Sequence, residues 1–333
     1  GNAAPLTLTT NALGQVSIPV FSGTVPTSAQ VRAVLSSNAA VAATSNVLTV
    51  ASGRAVQKAA SLSAARLSIE GFNVDGQTTD MTFSVSDRQG NPVPDGTQVN
   101  FTSESGVLLP ATCSIIGGSS ACTVQLRSQG SRPANGRVAI LAYVPGEEDF
   151  VDANFNNVFD AGETFTDLGN AYRDDNESSG FDTGEFSVPR VGTSGCGGGV
   201  NGRPNTCDGA WGVADVRTQA NIVFATSVAS ISSTITNTRV GATTATFGSM
   251  VVTIADGNGN SMPSGSAVSY EVTTPFDRGC AVSGGITATP NSLTPVTFTV
   301  DFKNCVSGDK ITVKLVTPLG SGTNTSFSVP NAP

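Results

Sequence analysis

Residues 87–99 read DRQGNPVPDGTQV, and residues 256–268 read DGNGNSMPSGSAV, at a constant offset of 169 positions. The two stretches share the pattern D-x-x-G-N-x-x-P-x-G-x-x-V, and apolar alternating segments flank both of them. Each stretch therefore predicts a strand, a tight turn, a link made rigid by proline and a following strand. Six matched positions at one offset favour an internal repeat over coincidence.

Alternation of apolar and polar residues recurs along the chain, and Gly, Pro, Asn and Asp interrupt it about every ten residues. It is clearest at residues 81–85, 98–101, 138–141, 296–300 and 311–315. No stretch carries a sustained helical period. The sequence therefore predicts an all-β protein built from β-sandwiches.

The composition limits the possible functions. The chain has 333 residues, of which 38% are hydrophobic and 13% are charged, which suits two or three foldable domains. No apolar run approaches the 18 residues of a membrane-spanning helix. There is no histidine, so Ser-His and Cys-His nucleophilic systems, His-ligated zinc and haem are excluded, whereas carboxylate-only catalysis stays open. The start lacks an initiator Met and a basic leader, which predicts an excised part of a longer protein.

A second, weaker repeat concerns the N-terminal region. Residues 13–18 followed by 31–34 resemble residues 120–124 followed by 138–141, which form the back half of a predicted sandwich. We therefore expect residues 1–54 to be the C-terminal half of an incomplete sandwich. Residues 55–228 are predicted to form a complete domain with an insert at 146–212, and residues 229–333 a second complete domain.

These features resemble a known family. The strands, the repeated turn and the stretch RPANGRV at residues 132–138 are similar to bacterial immunoglobulin-like repeats of the invasin and intimin class. The resemblance is best at residues 60–228, fair at 229–333 and partial before 54. It implies tandem immunoglobulin-like sandwiches on the bacterial cell surface, and it carries no catalytic residues to transfer, so we predict no enzymatic activity.

Six cysteines occur as three local pairs, although 15 connectivities are formally possible. An oxidising compartment suits the remainder of the sequence, so disulfides are favoured over free thiols. The predicted pairs are Cys113 with Cys122, Cys196 with Cys207, and Cys280 with Cys305.

An acidic insert is the main chemical feature. Residues 146–185 hold 12 of the 25 acidic residues and one basic residue, Arg173, so this segment carries −11 while the other residues sum to +3. A solvated or disordered charge run is one interpretation. The spacing favours another, because two segments match the ligand positions 1, 3, 5, 7, 9 and 12 of an EF-hand-type calcium loop. The first set is Asp152, Asn154, Asn156, Val158, Asp160 and Glu163. The second set, 22 residues later, is Asp174, Asn176, Ser178, Gly180, Asp182 and Glu185.

Two calcium ions are therefore predicted, one per loop, with a structural role because no helix pair flanks the loops. The usual Gly at position 6 is replaced by Asn157, which also reaches the left-handed conformation, and by Ser179, a poorer choice. Six phenylalanines in the insert are expected to form an apolar floor beneath the loops. They are Phe150, Phe155, Phe159, Phe165, Phe181 and Phe186.

Three functions follow from these observations. The leading one is an extracellular structural or adhesive surface protein, whose tandem modules are stiffened by calcium and disulfides. The second is a filament or sheath subunit joined by β-strand complementation, in which the partner is another immunoglobulin-like module of the same or a neighbouring chain. The third is an adhesin module that binds a receptor or glycan. A negative net charge of −8 without a basic stripe disfavours nucleic acid as a partner.

Overall fold

The computed structural model describes residues 6–21, 27–50, 53–190, 195, 202–239, 246–275 and 279–331. The chain divides into two compact units, Gly1–Ser52 and Gly53–Pro333. Among the described residues, one 3-10 turn at Gln57–Ala59 is the only helical segment. No helix in the described part of the chain has the length and apolar character needed to cross a membrane.

The first unit is made of two small antiparallel ribbons. Strands β1 (Thr27–Ala29) and β4 (Leu48–Val50) pair with each other, as do β2 (Arg32–Leu35) and β3 (Asn38–Thr44). Residues 16–18, which the sequence comparison aligned with a strand, are not in a strand. Every side chain described in this unit is exposed except that of Val31, so these residues enclose no core of their own.

The second unit contains two sandwiches, and we call the one formed by β5 to β14 the first sandwich. Its strands are β5 (Ala55–Val56), β6 (Ser61–Ala64), β7 (Ser68–Ile69), β8 (Thr78–Ser84), β9 (Thr97–Ser103), β10 (Val107–Leu109), β11 (Thr112–Ile115), β12 (Ala121–Arg127), β13 (Arg137–Glu147) and β14 (Val213–Phe224). One sheet has the order β10-β12-β8-β6, and the other has the order β11-β9-β13-β14-β7 with β5 beside β13.

The core of the first sandwich follows the predicted alternation. On β8 the side chains of Met81 and Phe83 are fully buried, whereas Asp80 between its buried neighbours is exposed. Phe83 meets Phe101 of the opposite sheet edge-on, with ring centroids 6.5 Å apart. A truncation of such a side chain to alanine costs about 3–5 kcal/mol of stability, so this alternation fixes which faces of the sheets meet.

The second sandwich is formed by seven strands around a separate core. They are β15 (Ala229–Arg239), β16 (Thr246–Asp256), β17 (Ala267–Thr273), β18 (Ala281–Gly284), β19 (Val296–Lys303), β20 (Lys310–Val316) and β21 (Gly322–Ser328). Its sheets have the orders β15-β16-β19-β18 and β17-β20-β21. When the strands are lettered A to G along the chain, these orders are ABED and CFG, the immunoglobulin constant-type arrangement. The predicted all-β immunoglobulin-like fold is confirmed.

The repeated turn has the same structure in both sandwiches. Asp87 Oδ1 accepts hydrogen bonds from the backbone amides two and four residues later, at 2.9 and 2.8 Å. Asp256 Oδ1 accepts the equivalent bonds at 2.9 and 2.8 Å. Gly90 and Gly259 both have left-handed φ values, 81° and 82°. The shared sequence pattern thus encodes one turn with an aspartate at its centre.

Two of the predicted disulfides are present. Cys113 on β11 is bonded to Cys122 on β12, which joins the two sheets of the first sandwich. Cys280 is bonded to Cys305 beside β18 and β19 of the second sandwich. The third predicted pair includes Cys196, which lies outside the described residues.

Candidate metal centre

The acidic insert leaves the first sandwich at the end of a long hairpin. Strands β13 and β14 pair without a break from Arg137 opposite Val223 to Glu147 opposite Val213. The insert connects their ends, so both of its termini are fixed at one edge of a rigid ribbon. We call residues 152–163 the first loop and residues 174–185 the second loop.

The two loops have the same backbone conformation. Positions 4 and 6 are left-handed in both: Phe155 and Asn157 have φ values of 60° and 61°, and Glu177 and Ser179 have values of 59° and 67°. The expectation that Asn157 takes this conformation is confirmed, and Ser179 takes it as well. Such conformations are uncommon for residues other than glycine, so their recurrence at matched positions indicates one loop architecture used twice.

The carboxylate at position 1 organises each loop. Asp152 Oδ1 accepts the amide of Asn156 at 3.1 Å, and Asp152 Oδ2 accepts the amide of Asn157 at 2.8 Å. Asp174 accepts the two equivalent amides at 3.0 and 2.8 Å. These bonds hold the first carboxylate inside the turn that it begins.

The carboxylate at position 12 closes each loop. Glu163 accepts the amide of Ala153 at 2.8 Å with Oε1 and the amide of Asp160 at 3.0 Å with Oε2. Glu185 does the same with the amides at positions 2 and 9, both at 2.9 Å. Since both oxygens are held, the carboxylate plane is fixed across the loop, as a bidentate ligand requires.

The side chains at positions 3, 5 and 9 meet inside each loop. Asn154 Nδ2 and Asn156 Nδ2 both donate to Asp160 Oδ2, each at 2.7 Å. In the second loop, Asp182 accepts the equivalent bonds from the amide at position 3 and the hydroxyl at position 5, both at 2.8 Å. These bonds lower the pKa of Asp182 below its ordinary value. A ligand at position 7 would be a backbone carbonyl, that of Val158 in the first loop and of Gly180 in the second.

The donor chemistry of the loops fits calcium. All six positions of each loop offer oxygen, and three of them are carboxylates. Calcium takes six to eight oxygen ligands in flexible geometry, whereas softer metals select sulfur or imidazole. An Asn amide that now points Nδ2 at Asp160 would have to turn its oxygen inward to serve as a ligand.

Aromatic side chains support the first loop. Phe159, at position 8, stacks on Trp211 with centroids 4.9 Å apart and an interplanar angle of 17°. Phe150 and Phe165, on either side of the loop, meet this pair edge-on. Phe155 and Phe186 are exposed, the first by 87% and the second by 39%, so the prediction that these two residues belong to the apolar floor was wrong. The left-handed backbone of Phe155 turns its side chain out of the loop.

An aromatic contact supports the second loop as well, because Phe181, at position 8, meets Tyr172 edge-on with ring centroids 5.6 Å apart.

Polar side chains add to the support of the second loop. Gln219 on β14 accepts the amide of Asp174 with Oε1 at 2.9 Å and donates Nε2 to the carbonyl of Asp174 at 2.8 Å. Its amide therefore pairs with the loop as a neighbouring strand would. Arg173 forms an ion pair with Asp175 and donates to Thr102 Oγ1 at 2.9 Å.

Glu177 ties the second loop to the start of β13. Arg137 Nε donates to Glu177 Oε1, and Arg137 Nη2 donates to Glu177 Oε2 at 2.7 Å. These hydrogen bonds lower the pKa of Glu177 and raise that of Arg137. Such a two-point contact fixes both the position and the plane of the carboxylate.

Three acidic residues of the insert that lie outside the ligand positions form ion pairs with basic side chains. Asp149 pairs with Lys58 at 2.8 Å, and Asp175 and Glu177 pair with arginines as described above. The carboxylates at positions 1, 9 and 12, in contrast, accept hydrogen bonds from groups of their own loop.

A further acidic cluster lies at the base of the insert. Glu148, Asp167 and Asp208 bring carboxylate oxygens within 4.8 Å of one another. Glu148 is fully buried, and burial raises its pKa, although its oxygens accept amides from Leu168 and Gly212 at 2.8 and 2.9 Å. Its partners lie about 20 and 60 residues away, so local spacing gave no signal for this cluster.

A cavity of about 340 Å³ lies beside the second loop, between it and β14. Its walls include Gln57, Arg217 and Gln219. Gln57 Nε2 donates to the carbonyl of Arg217 at 2.6 Å, and Gln57 Oε1 accepts the amide of Arg217 at 3.0 Å. Gln219 bonds to the backbone of Asp174 in the same way. The side-chain amides of Gln57 and Gln219 therefore connect β14 to the neighbouring segment and to the insert.

Comparisons with known proteins find a weak likeness to solved structures. No protein-family model and no curated protein matches this sequence. Solved structures that resemble it include the Yersinia pseudotuberculosis adhesin InvE, with 15% identity, 83% of this chain and 60% of that chain covered, and a TM-score of 0.26. The D0-D1 domain of intimin matches with 15% identity, 81% and 98% coverage, and a TM-score of 0.25. Invasin, a bacterial integrin-binding protein, matches with 13% identity, 81% and 60% coverage, and a TM-score of 0.20. At these scores the likeness carries no conclusion about function, and the chain spans only 60% of two of these proteins.

Proposed function

We propose that this chain is a structural segment of an extracellular adhesive surface protein, with residues 55–228 and 229–333 as its two complete modules. Modules in series would hold a binding function at a distance from the cell. Such a spacer requires stiff junctions, because domains joined by flexible linkers bend freely. The observation that carries the proposal is the hydrogen-bonded junction between the two sandwiches.

This junction leaves little free chain. Strand β14 ends at Phe224 and β15 begins at Ala229, so only residues 225–228 connect them. Ser68 joins the sandwiches twice, by donating Oγ to the carbonyl of Ser261 at 3.0 Å and accepting the amide of Ser264 at 3.0 Å. Ser68 and Ser261 are almost completely buried. Breaking such bonds without water access leaves buried polar groups unpaired, at a cost of about 1–3 kcal/mol each.

The repeated turn of the second sandwich forms the centre of the junction. Asp256 Oδ2 accepts the amide of Thr226 in the connecting segment at 3.1 Å. Asn260 Nδ2 donates to the carbonyl of Asn135 in the first sandwich at 2.6 Å. A side chain at Gly136 would lie 2.9 Å from Asn258 Nδ2, so the two surfaces are closely packed there.

Small-angle X-ray scattering of the full chain tests this junction. Asn260→Ala combined with Ser68→Ala should broaden the distribution of interatomic distances, because the sandwiches lose the bond of Ser68 Oγ to Ser261 and the bonds of Asn260 with Asn135 and Arg137. Asn91→Ala, at the equivalent position of the first turn, is the matched control and should leave the distribution unchanged. A double variant that scatters like the unaltered chain contradicts a junction held by these residues.

Calcium is the proposed second source of stiffness. The residues that would hold it are those at the six positions of each loop, and the ion would neutralise the repulsion among their carboxylates. With a charge of −11 in 40 residues, the insert is expected to unfold locally when cations are withdrawn. The ion therefore acts as a structural support for the insert.

Isothermal titration calorimetry tests the two sites separately. Glu163→Ala should abolish the first site only, and Glu185→Ala the second only, since each removes the bidentate ligand. Asp149→Asn is the control, because this acid belongs to the insert but pairs with Lys58. An unaltered chain that binds no calcium at millimolar concentration contradicts the proposal, because extracellular sites work at about 0.1–1 mM or tighter.

A second candidate function is self-assembly, which the first unit favours. Its exposed side chains include large apolar ones such as Leu13 and Phe21, which are 80% and 86% exposed. Arg32 is the only charged residue among the first 53. Interfaces are depleted of charge in the same way, and isolated two-stranded ribbons are marginally stable in water. We propose that another polypeptide segment, in the same or a neighbouring chain, covers this unit.

Light scattering separates the two versions of this proposal. If a neighbouring chain covers the unit, the intact chain assembles at high concentration and deletion of residues 1–54 leaves soluble monomers. An intact chain that stays monomeric contradicts assembly between chains. The remaining version is then that another segment of the same polypeptide covers the unit.

A further inference from the structure

We infer that the metal in the second loop, and not the metal in the first, sets the rigidity of the junction between the sandwiches. The link passes through Glu177 and Arg137. This inference rests on the proposed calcium binding and specifies which of the two sites has a mechanical effect on the neighbouring module.

Glu177 is placed to follow the state of the second loop. It occupies position 4, between the ligand positions of Asn176 and Ser178. Its backbone is left-handed, with a φ of 59°, and its side chain points away from the loop to Arg137. Because the neighbouring residues on both sides are ligands, a loop that opens must displace the Glu177 carboxylate as well.

Arg137 connects this carboxylate to the second sandwich. Two of its nitrogens are used by Glu177, and Nη1 donates to Asn260 Oδ1 at 3.5 Å. Asn260 is 6% exposed and holds the carbonyl of Asn135, two residues before Arg137. One guanidinium group thus touches both the second loop and the turn at the centre of the junction. Its planar fork keeps the two contacts in fixed relative orientation.

The first loop has no such connection in the part of the chain that the structure describes. Its position 4 is Phe155, which is 87% exposed. Its Asn157 accepts a hydrogen bond at 3.1 Å from Gln89, which belongs to the first sandwich. Its aromatic support, Phe150 with Trp211, lies within the insert itself. Loss of metal from the first loop is therefore expected to stay local.

Hydrogen exchange of the full chain, read in peptides that contain Leu67 and Ser264, tests the inference. The amides of these residues are bonded across the junction to Asn291 Oδ1 and to the carbonyl of Ser68, at 2.7 and 3.0 Å. In saturating calcium, Asp174→Ala should accelerate their exchange at least about fivefold, the lower end of typical coupling between sites. Asp152→Ala, the same change in the first loop, should leave it unchanged.

Glu177→Gln separates the link from the metal site itself. It should accelerate the same amides while calorimetry still finds two bound calcium ions, because Glu177 is not a loop ligand. Phe155→Gln introduces the same residue at the matched position and should change neither quantity. If Glu177→Gln keeps both ions and the junction stays fully protected, or if Asp152→Ala and Asp174→Ala loosen it equally, the inference is overturned. A chain that binds no calcium at all would instead contradict the proposed function.

Discussion

The first and second loops share one backbone and each has an aromatic contact at position 8, but they differ in the polar contacts that attach them to the protein. In the first loop the support is aromatic, with Phe159 stacked on Trp211 and Arg88 lying over the ring of Phe150 at 3.3 Å. In the second loop the contact of Phe181 with Tyr172 is joined by polar support, because Gln219 bonds to both the amide and the carbonyl of Asp174. The backbone architecture of the loops and their attachment are therefore independent properties of the sequence.

This difference would give the same bound ion different consequences in the two loops. The burial of apolar surface is non-directional and tolerates small shifts of the loop above it. A two-point arginine–carboxylate contact is directional and transmits position. We expect the first loop to respond to calcium locally and the second to pass its state to the junction.

Removal of calcium should produce the largest effect and should act on both loops. Chelation is expected to raise protease cleavage within residues 146–190 by at least about tenfold, because the open form becomes populated. Both sandwiches should stay intact, since their cores lie outside the insert. Mass spectrometry of the fragments locates the cuts. Cleavage that begins in the strands of either sandwich would argue against a local role for the metal.

Fluorescence of Trp211 should distinguish the loops next. It is the only tryptophan, and its ring stacks on Phe159 of the first loop. A calcium titration followed by its emission is therefore expected to report the first site alone. Asp174→Ala should leave the titration unchanged and Asp152→Ala should abolish it. If both variants alter the curve equally, the loops are coupled and the comparison fails.

Salt should act on the second loop more than on the first. Screening weakens the pairs of Arg137 with Glu177 and of Arg173 with Asp175, whereas it leaves aromatic packing nearly unchanged. In excess calcium, raising the salt concentration should accelerate amide exchange in residues 174–185 about two- to fivefold, the range expected for partly exposed pairs. Equal acceleration in residues 152–163 would show that the attachments of the two loops depend on ion pairs to the same extent, which contradicts the comparison.

Glu104 should give the smallest effect. Burial raises the pKa of its carboxyl group, and the nearby Asp175 raises it further, although the amide of Ala139 opposes this. Because the folded state favours the protonated form, the ionised group lowers the free energy of unfolding at neutral pH.

Glu104→Gln should therefore raise the melting temperature slightly at pH 7. The gain should shrink as the pH falls through the folded pKa, and it should vanish below the ordinary glutamate value of about 4.3. Thermal unfolding at pH 7 and below about pH 4.3 checks this. A variant that is less stable than the unaltered chain at pH 7 contradicts it.

The fold was largely predictable because its signals are local. Alternation on β8 placed Met81 and Phe83 in the core, and the aspartate-centred turn recurred where the repeat predicted it. Cys113 and Cys122 lie on strands only a few residues apart in sequence. The strand alternation, the contacts within each turn and the cysteine spacing all involve neighbours within about ten residues, which a single sequence reveals.

The attachments of the loops were not predictable for the opposite reason. Gln219 reaches Asp174 across 45 residues, and Arg137 reaches Glu177 across 40 and Asn260 across 123. Nothing in the local spacing of a lone Gln or Arg marks such a partner. The exposure of Phe155 was missed because hydrophobicity alone does not reveal a left-handed backbone.

The central claim, that each loop binds one calcium ion, is tested most directly by anomalous X-ray diffraction from crystals of the chain grown with calcium. We expect two anomalous peaks, one between Asp152 and Glu163 and one between Asp174 and Glu185. Crystals at millimolar calcium with no peak in either loop, or with the only peak at the cluster of Glu148, Asp167 and Asp208, would contradict the account.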